Sequence, residues 1–82
     1  MTALEAVLEV QRQVAALQSG DLDLMTNADA KLREMGEAAV PALISVLEHS
    51  RDTLVCVLVA DILEDLGTPQ ALRAVRDWEA HS

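Results

Sequence analysis

Aromatic side chains are nearly missing from this sequence: it has no Phe and no Tyr, and Trp78 stands alone. A core must then be assembled from Leu, Val, Ile, Met and Ala, which pack most readily between helices. Cysteine is nearly missing too. Cys56 alone excludes an internal disulfide and a zinc finger, and it fits a reducing compartment. Basic residues are few, six Lys plus Arg against fourteen Asp plus Glu, for a formal charge of −8. With no basic stripe, nucleic acid and anionic membrane are disfavoured as partners. The longest apolar run, Leu54 to Ala60, is far below the roughly 20 residues of a membrane span. Glu5 and Glu9 sit where a secretory signal would need an apolar, positively flanked core. The expectation is a cytoplasmic protein without a membrane segment.

What the chain does contain is a repeat. Residues 19–36, SGDLDLMTNADAKLREMG, align without a gap on residues 50–67, SRDTLVCVLVADILEDLG, at a constant shift of 31. Ser19 meets Ser50, Asp21 meets Asp52, Leu24 meets Val55, Ala28 meets Val59, Leu32 meets Leu63, Met35 meets Leu66 and Gly36 meets Gly67. The apolar matches recur at spacings of 4, 4 and 3, so both segments read as helices with the same inward face. Asp21 and Asp52 suit N-caps, and Gly36 and Gly67 suit the left-handed residue that closes a helix.

A second helix follows each glycine. Residues 37–49 place Val40, Leu43, Ile44 and Leu47 on one face, and residues 69–80 place Leu72, Val75 and Trp78 on theirs. Pro41 and Pro69 fall near helix starts, where a missing N–H costs little. Residues 3–18 repeat the second-helix pattern with Val10, Val14 and Leu17. The reading is all-α, with helices at 3–18, 21–35, 37–49, 51–66 and 69–80. They form one domain over residues 1–82: a half repeat (1–18), then two full ones (19–49 and 50–82). Helix pairs at such a period are the signature of a solenoid, in which each pair buries its face against the next.

The stretches LREMGEAAVPALISVLEH and LEDLGTPQALRAV resemble HEAT repeats, of the short bacterial HEAT-like type also found in phycobilisome lyase proteins. The resemblance covers residues 19–76 and, more weakly, 3–18. It implies an armadillo-type α-α superhelix that serves as a binding scaffold, with second helices lining the concave face. On this chain those positions are Gln11, Ala15, Gln18, Ala42, Ser45, Glu48, Arg73 and Asp77. The lyase activity of some relatives is not implied, because no catalytic motif is matched.

No residue cluster announces chemistry. His49 ends a helix, where it suits the helix dipole, and His81 lies in the tail; a metal site needs three or four converging ligands. Cys56 has Asp52, Thr53, Val59 and Ala60 as helical neighbours and no cation to activate it, so it reads as a small buried hydrophobe. Asp61, Glu64 and Asp65 lack the glycine-bearing loop of a calcium site and read as a solvated face. Gly20, Gly36 and Gly67 punctuate helices rather than cradle phosphate. No catalytic residue, metal site or cofactor is expected, and the chain reads as non-enzymatic.

The 51–66 helix is oilier than one buried face requires. Val55, Val59, Ile62, Leu63 and Leu66 form its inward stripe, yet Leu54, Val57 and Leu58 fall on the side marked by Asp61, Glu64 and Asp65. The preceding copy has Asp23, Thr26 and Asn27 at those positions. Either the chain covers Leu54, Val57 and Leu58, or they form an association surface, since contiguous exposed apolar patches mark interfaces. Trp78 joins them, either capping the open end of the core or anchoring a partner. Taken together, the residues point to a protein-interaction scaffold that self-associates, as a homodimer, through the 51–66 helix. The alternatives are an acidic accessory subunit or inhibitor that occupies a basic partner and, ranked lowest, a lyase or chaperone of the HEAT-like type.

Overall fold

The computed structural model describes residues 3–81; residues 1, 2 and 82, at the outer bounds of the half repeat and of the second full repeat, lie outside the described residues. Among the described residues five α-helices follow one another: α1 (Ala3–Leu17), α2 (Leu22–Met35), α3 (Val40–His49), α4 (Thr53–Leu66) and α5 (Pro69–His81). A short 3-10 turn, Gly36–Ala39, joins α2 to α3, and no strand occurs among the described residues.

The duplication reaches down to individual hydrogen bonds. Asp21 caps α2, its Oδ1 accepting from the backbone N–H of Asp23 at 2.9 Å and of Leu24 at 3.2 Å. Asp52 caps α4 likewise, accepting from Leu54 at 3.0 Å and Val55 at 3.3 Å. Ser19 and Ser50 each accept from the N–H of the following cap residue at 3.2 Å. A Ser-x-Asp triplet therefore satisfies three donors at each helix entrance, which is why both first helices start where they do.

The copies part company at their glycines. Gly67 has φ 68° and ψ 13°, the left-handed cap expected, but Gly36 has φ 62° and ψ −132°, and the 3-10 turn begins there. Pro41 is the reason. An α-helix running from residue 37 would need the N–H of residue 41 to reach the Glu37 carbonyl, and proline has none; its ring would also strike that carbonyl. Val40 donates to the Glu37 carbonyl instead, in the tighter 3-10 pattern, and α3 starts at Val40 rather than at 37 as the periodicity suggests. Pro69 stands at the first position of α5, where Thr68 Oγ1 accepts from Ala71 N–H at 3.1 Å, so the second turn needs no such detour.

Helices meet in two rows. α2 packs sideways on α4; α3 packs on α5 and, less extensively, on α1; across the rows α1 lies on α2, and α3 and α5 lie on α4. α2 and α3 meet through the 3-10 turn rather than along their lengths. The smallest dimension of the molecule, 19 Å, is that of two helix layers. The core between them holds Val10, Leu17, Ala28, Leu32, Val40, Leu43, Leu47, Val59, Ile62, Leu63 and Val75. Helix α4 contributes most, with Val55, Cys56, Val59, Ala60, Ile62 and Leu63 all buried.

Two expected inward residues are not inward. Leu24, the counterpart of buried Val55, is about half exposed, and Met25 is buried in its stead. Leu72 is also exposed, while Ala71 and Val75 carry the inner face of α5. Leu24 is on a helix with fewer neighbours than α4, so a face covered in α4 stays open there, while Leu72 takes the repeat position of exposed Pro41 and Ala71 that of buried Val40.

Candidate protein-interaction surface

The outer side of α4 carries the expected apolar patch, and the chain itself leaves much of it uncovered. Leu54 is 58% exposed and Val57 49% exposed, whereas Leu58 is half-buried against the core. Trp78 is half-buried too, packed on the core at the far end of α5, and it lines a shallow groove of about 220 Å³ with Val57, Ala60, Asp61, Glu64 and Glu79. Val57 and Trp78, distant in sequence, thus share one surface.

Of the expected concave-face residues, Gln11, Ala15, Gln18, Ser45, Glu48, Arg73 and Asp77 are exposed and Ala42 is half-buried. Glu48 and Asp77 come together in a second groove, of about 430 Å³, with Leu47, Ser50, Ala74, Trp78 and His81. Trp78 therefore separates two grooves, one rimmed by α4 and one by α3.

The acids of α4 form an exposed face, and two of them also take part in an ion-pair strap. Arg33 of α2 reaches across to Asp61 at 2.8 Å and to Asp65 at 2.9 Å, and its Nε also pairs with Asp29 on its own helix. The three carboxylates, Asp29 foremost, raise the pKa of the guanidinium against the opposing effect of partial burial. One cation with three anions straps α2 to α4 and still leaves a local excess of negative charge. Glu64 lies beside this strap and is exposed.

Sequence reasoning passed over a second apolar stripe. Leu4, Val7 and Leu8 on α1 are each at least half exposed, as is Leu22 at the start of α2. Their i, i+3, i+4 spacing was a visible signal, but Val10, Val14 and Leu17 already accounted for one face of α1. Leu8 lines a mixed-charge groove of about 470 Å³ with Glu5, Glu9, Arg12, Lys31, Glu34 and Met35.

The two imidazoles and the thiol each have a local partner. His49 Nδ1 lies 2.8 Å from the Ser45 carbonyl and His81 Nδ1 lies 2.7 Å from the Asp77 carbonyl, each ring folding back on the last turn of its own helix. Cys56 is buried, with Sγ 3.6 Å from the Ser50 carbonyl. Among the described residues, no group of three or more His, Cys, Asp or Glu converges on a metal-sized point, and no helix is long and apolar enough to cross a membrane. Comparison of the chain with family models, curated proteins and solved structures gives no match.

Proposed function

We propose that this chain is a non-enzymatic protein-interaction module, a minimal HEAT-like stack that pairs with a second copy of itself through the outer face of α4. One observation carries the reading: the helix that contributes most to the core also presents Leu54 and Val57 to solvent, where the preceding copy has Asp23 and Thr26. The sideways packing of α2 on α4 and of α3 on α5 supports the HEAT-like part. The free, buried Cys56 suits a reducing setting, and the reading places the module in the cytoplasm.

The energetics define a weak dimer. Leu54 and Val57 are already half covered, so each contributes about 1 kcal/mol on full burial rather than the 1.5–3 of a fully transferred side chain. Two such residues on each copy give roughly 4 kcal/mol, to which Trp78 and Leu58 add, against an association entropy of at least about 4 kcal/mol. Dimerisation at high micromolar concentration corresponds to about −5 kcal/mol net, so Trp78 and Leu58 of the two copies must together supply about 5 kcal/mol. Light scattering on the wild type and on Leu54→Asp with Val57→Asp tests it: the wild type should gain mass with concentration and the double variant should not.

A second reading has its own support, because the groove beside Trp78 is lined by Asp61, Glu64 and Glu79 and by no Lys or Arg. In that reading the chain is an acidic accessory subunit that occupies a basic partner. Salt separates the two. Docking on a basic partner weakens steeply as ionic strength rises, whereas apolar pairing of two chains of charge −8 strengthens as their repulsion is screened.

A further inference from the structure

The exposed face of α4 is divided along its length. At about 100° per residue, positions 54, 57, 58, 61, 64 and 65 share one side of the helix. The first half of that side is Leu54, Val57 and Leu58; the second half is Asp61, Glu64 and Asp65. Asp61 and Asp65 keep 68% and 64% of their side chains exposed even while Arg33 holds them. Just ahead of the helix, Arg51 is exposed next to the cap residue Asp52.

This segregation decides how two copies can meet. If the helices cross in parallel, pairing Leu54 with Leu54, the acids of one copy lie against the same acids of the other. Like charges opposed at that distance repel, and only one Arg33 per copy is present to offset three carboxylates on α4 and Asp29 on α2. If the helices cross antiparallel, pairing Leu54 with Val57, each acidic half runs past the start of the other helix. Asp61 then falls opposite the Ser50–Arg51 turn of the second copy, and the twofold axis generates the contact twice.

Resting on the self-association reading above, we infer that the partner of the outer α4 face is a second copy of this chain laid antiparallel, with Leu54 on Val57 at the axis and Arg51 against Asp61 on either side. Trp78 borders the contact, because it shares a groove with Val57. As the only aromatic residue, it reports the association through its fluorescence.

Two measurements test the orientation. In a Cys56→Ala background, Leu54→Cys and Val57→Cys chains are mixed in equal amounts in a glutathione buffer, and the disulfide-linked dimers are counted by mass. The antiparallel pair yields the mixed 54–57 disulfide above its statistical share; homodisulfides in excess would mean a parallel crossing and overturn the inference. Second, Arg51→Glu should raise the dissociation constant about tenfold, from losing two exposed pairs. Arg12→Glu makes the same change of net charge on α1, at a side chain 75% exposed, and should have a clearly smaller effect. Equal effects of the two variants overturn the inference, and this arm does not depend on the cysteine variants folding. A wild type that stays monomeric removes the self-association reading along with the orientation, whereas a dimer with the wrong disulfides or charge response removes only the orientation.

Discussion

Leu63 and Leu54 sit on the same helix with opposite surroundings, and truncating each in turn is the sharpest check on how α4 is seated. Leu63 is 0% exposed and Leu54 is 58% exposed. Leu63→Ala removes three buried carbons, worth about 2.4 kcal/mol at about 0.8 per methylene, and leaves a void that relaxes only in part. A total near 3 kcal/mol is expected. With an unfolding entropy of about 2.1 cal/mol/K per residue over 82 residues, that lowers Tm by about 17 °C. Leu54→Ala removes the same atoms from a site already half in water, and alanine's better helix propensity offsets part of the loss. Its expected cost is about 0.5 kcal/mol, or about 3 °C. The assay is thermal unfolding followed by circular dichroism at low micromolar concentration, below the range of the proposed association. Comparable losses for the two variants there would mean that α4 is rotated from the position described, and the argument for an exposed apolar patch would go with it.

Three further outcomes follow from local geometry. Asp21→Ala and Asp52→Ala should each cost about 1 kcal/mol, and by similar amounts, because the two caps make the same bonds; urea titration measures both. Gly36→Ala should destabilise by about 2–3 kcal/mol and Gly67→Ala by about 1, since φ 62° with ψ −132° is nearly closed to a side chain while the left-handed cap at Gly67 is only strained. No neighbour lies within 4 Å of a Cβ built at Gly36, so backbone strain alone sets that difference. Arg33→Gln should cost about 1 kcal/mol in dilute buffer and less in 1 M salt, where the screening length falls to about 3 Å; a loss that does not shrink with salt would mean that Arg33 acts by packing and not as a strap.

Much of this architecture was legible from the residues, and the misses have a common cause. Periodicity, paired glycines and the capping aspartates Asp21 and Asp52 located α1, α2, α4 and α5 to within a residue or two, because these signals are local. Leu32 and Leu63 are both fully buried, as their alignment implied. Leu24 was misplaced because burial depends on how many helices flank a given copy, and Leu72 because its residue type outweighed the 31-residue register, which pairs it with exposed Pro41 and pairs Ala71 with buried Val40. The late start of α3 was readable in principle from Pro41, which forbids the hydrogen bond an earlier start would need. Arg33 could not have been found by spacing alone: its contacts with Asp61 and Asp65 are made across the α2–α4 junction. Its alignment with Glu64 at the same repeat position was the one available hint that the two copies carry opposite charge there.

Sedimentation equilibrium of the wild-type chain, from low to high micromolar concentration, addresses the central claim most directly. The account predicts a mass rising from the 8.9 kDa of one chain toward twice that value, more readily in added salt, and held at 8.9 kDa by Leu54→Asp. A wild type that keeps the single-chain mass throughout would contradict it.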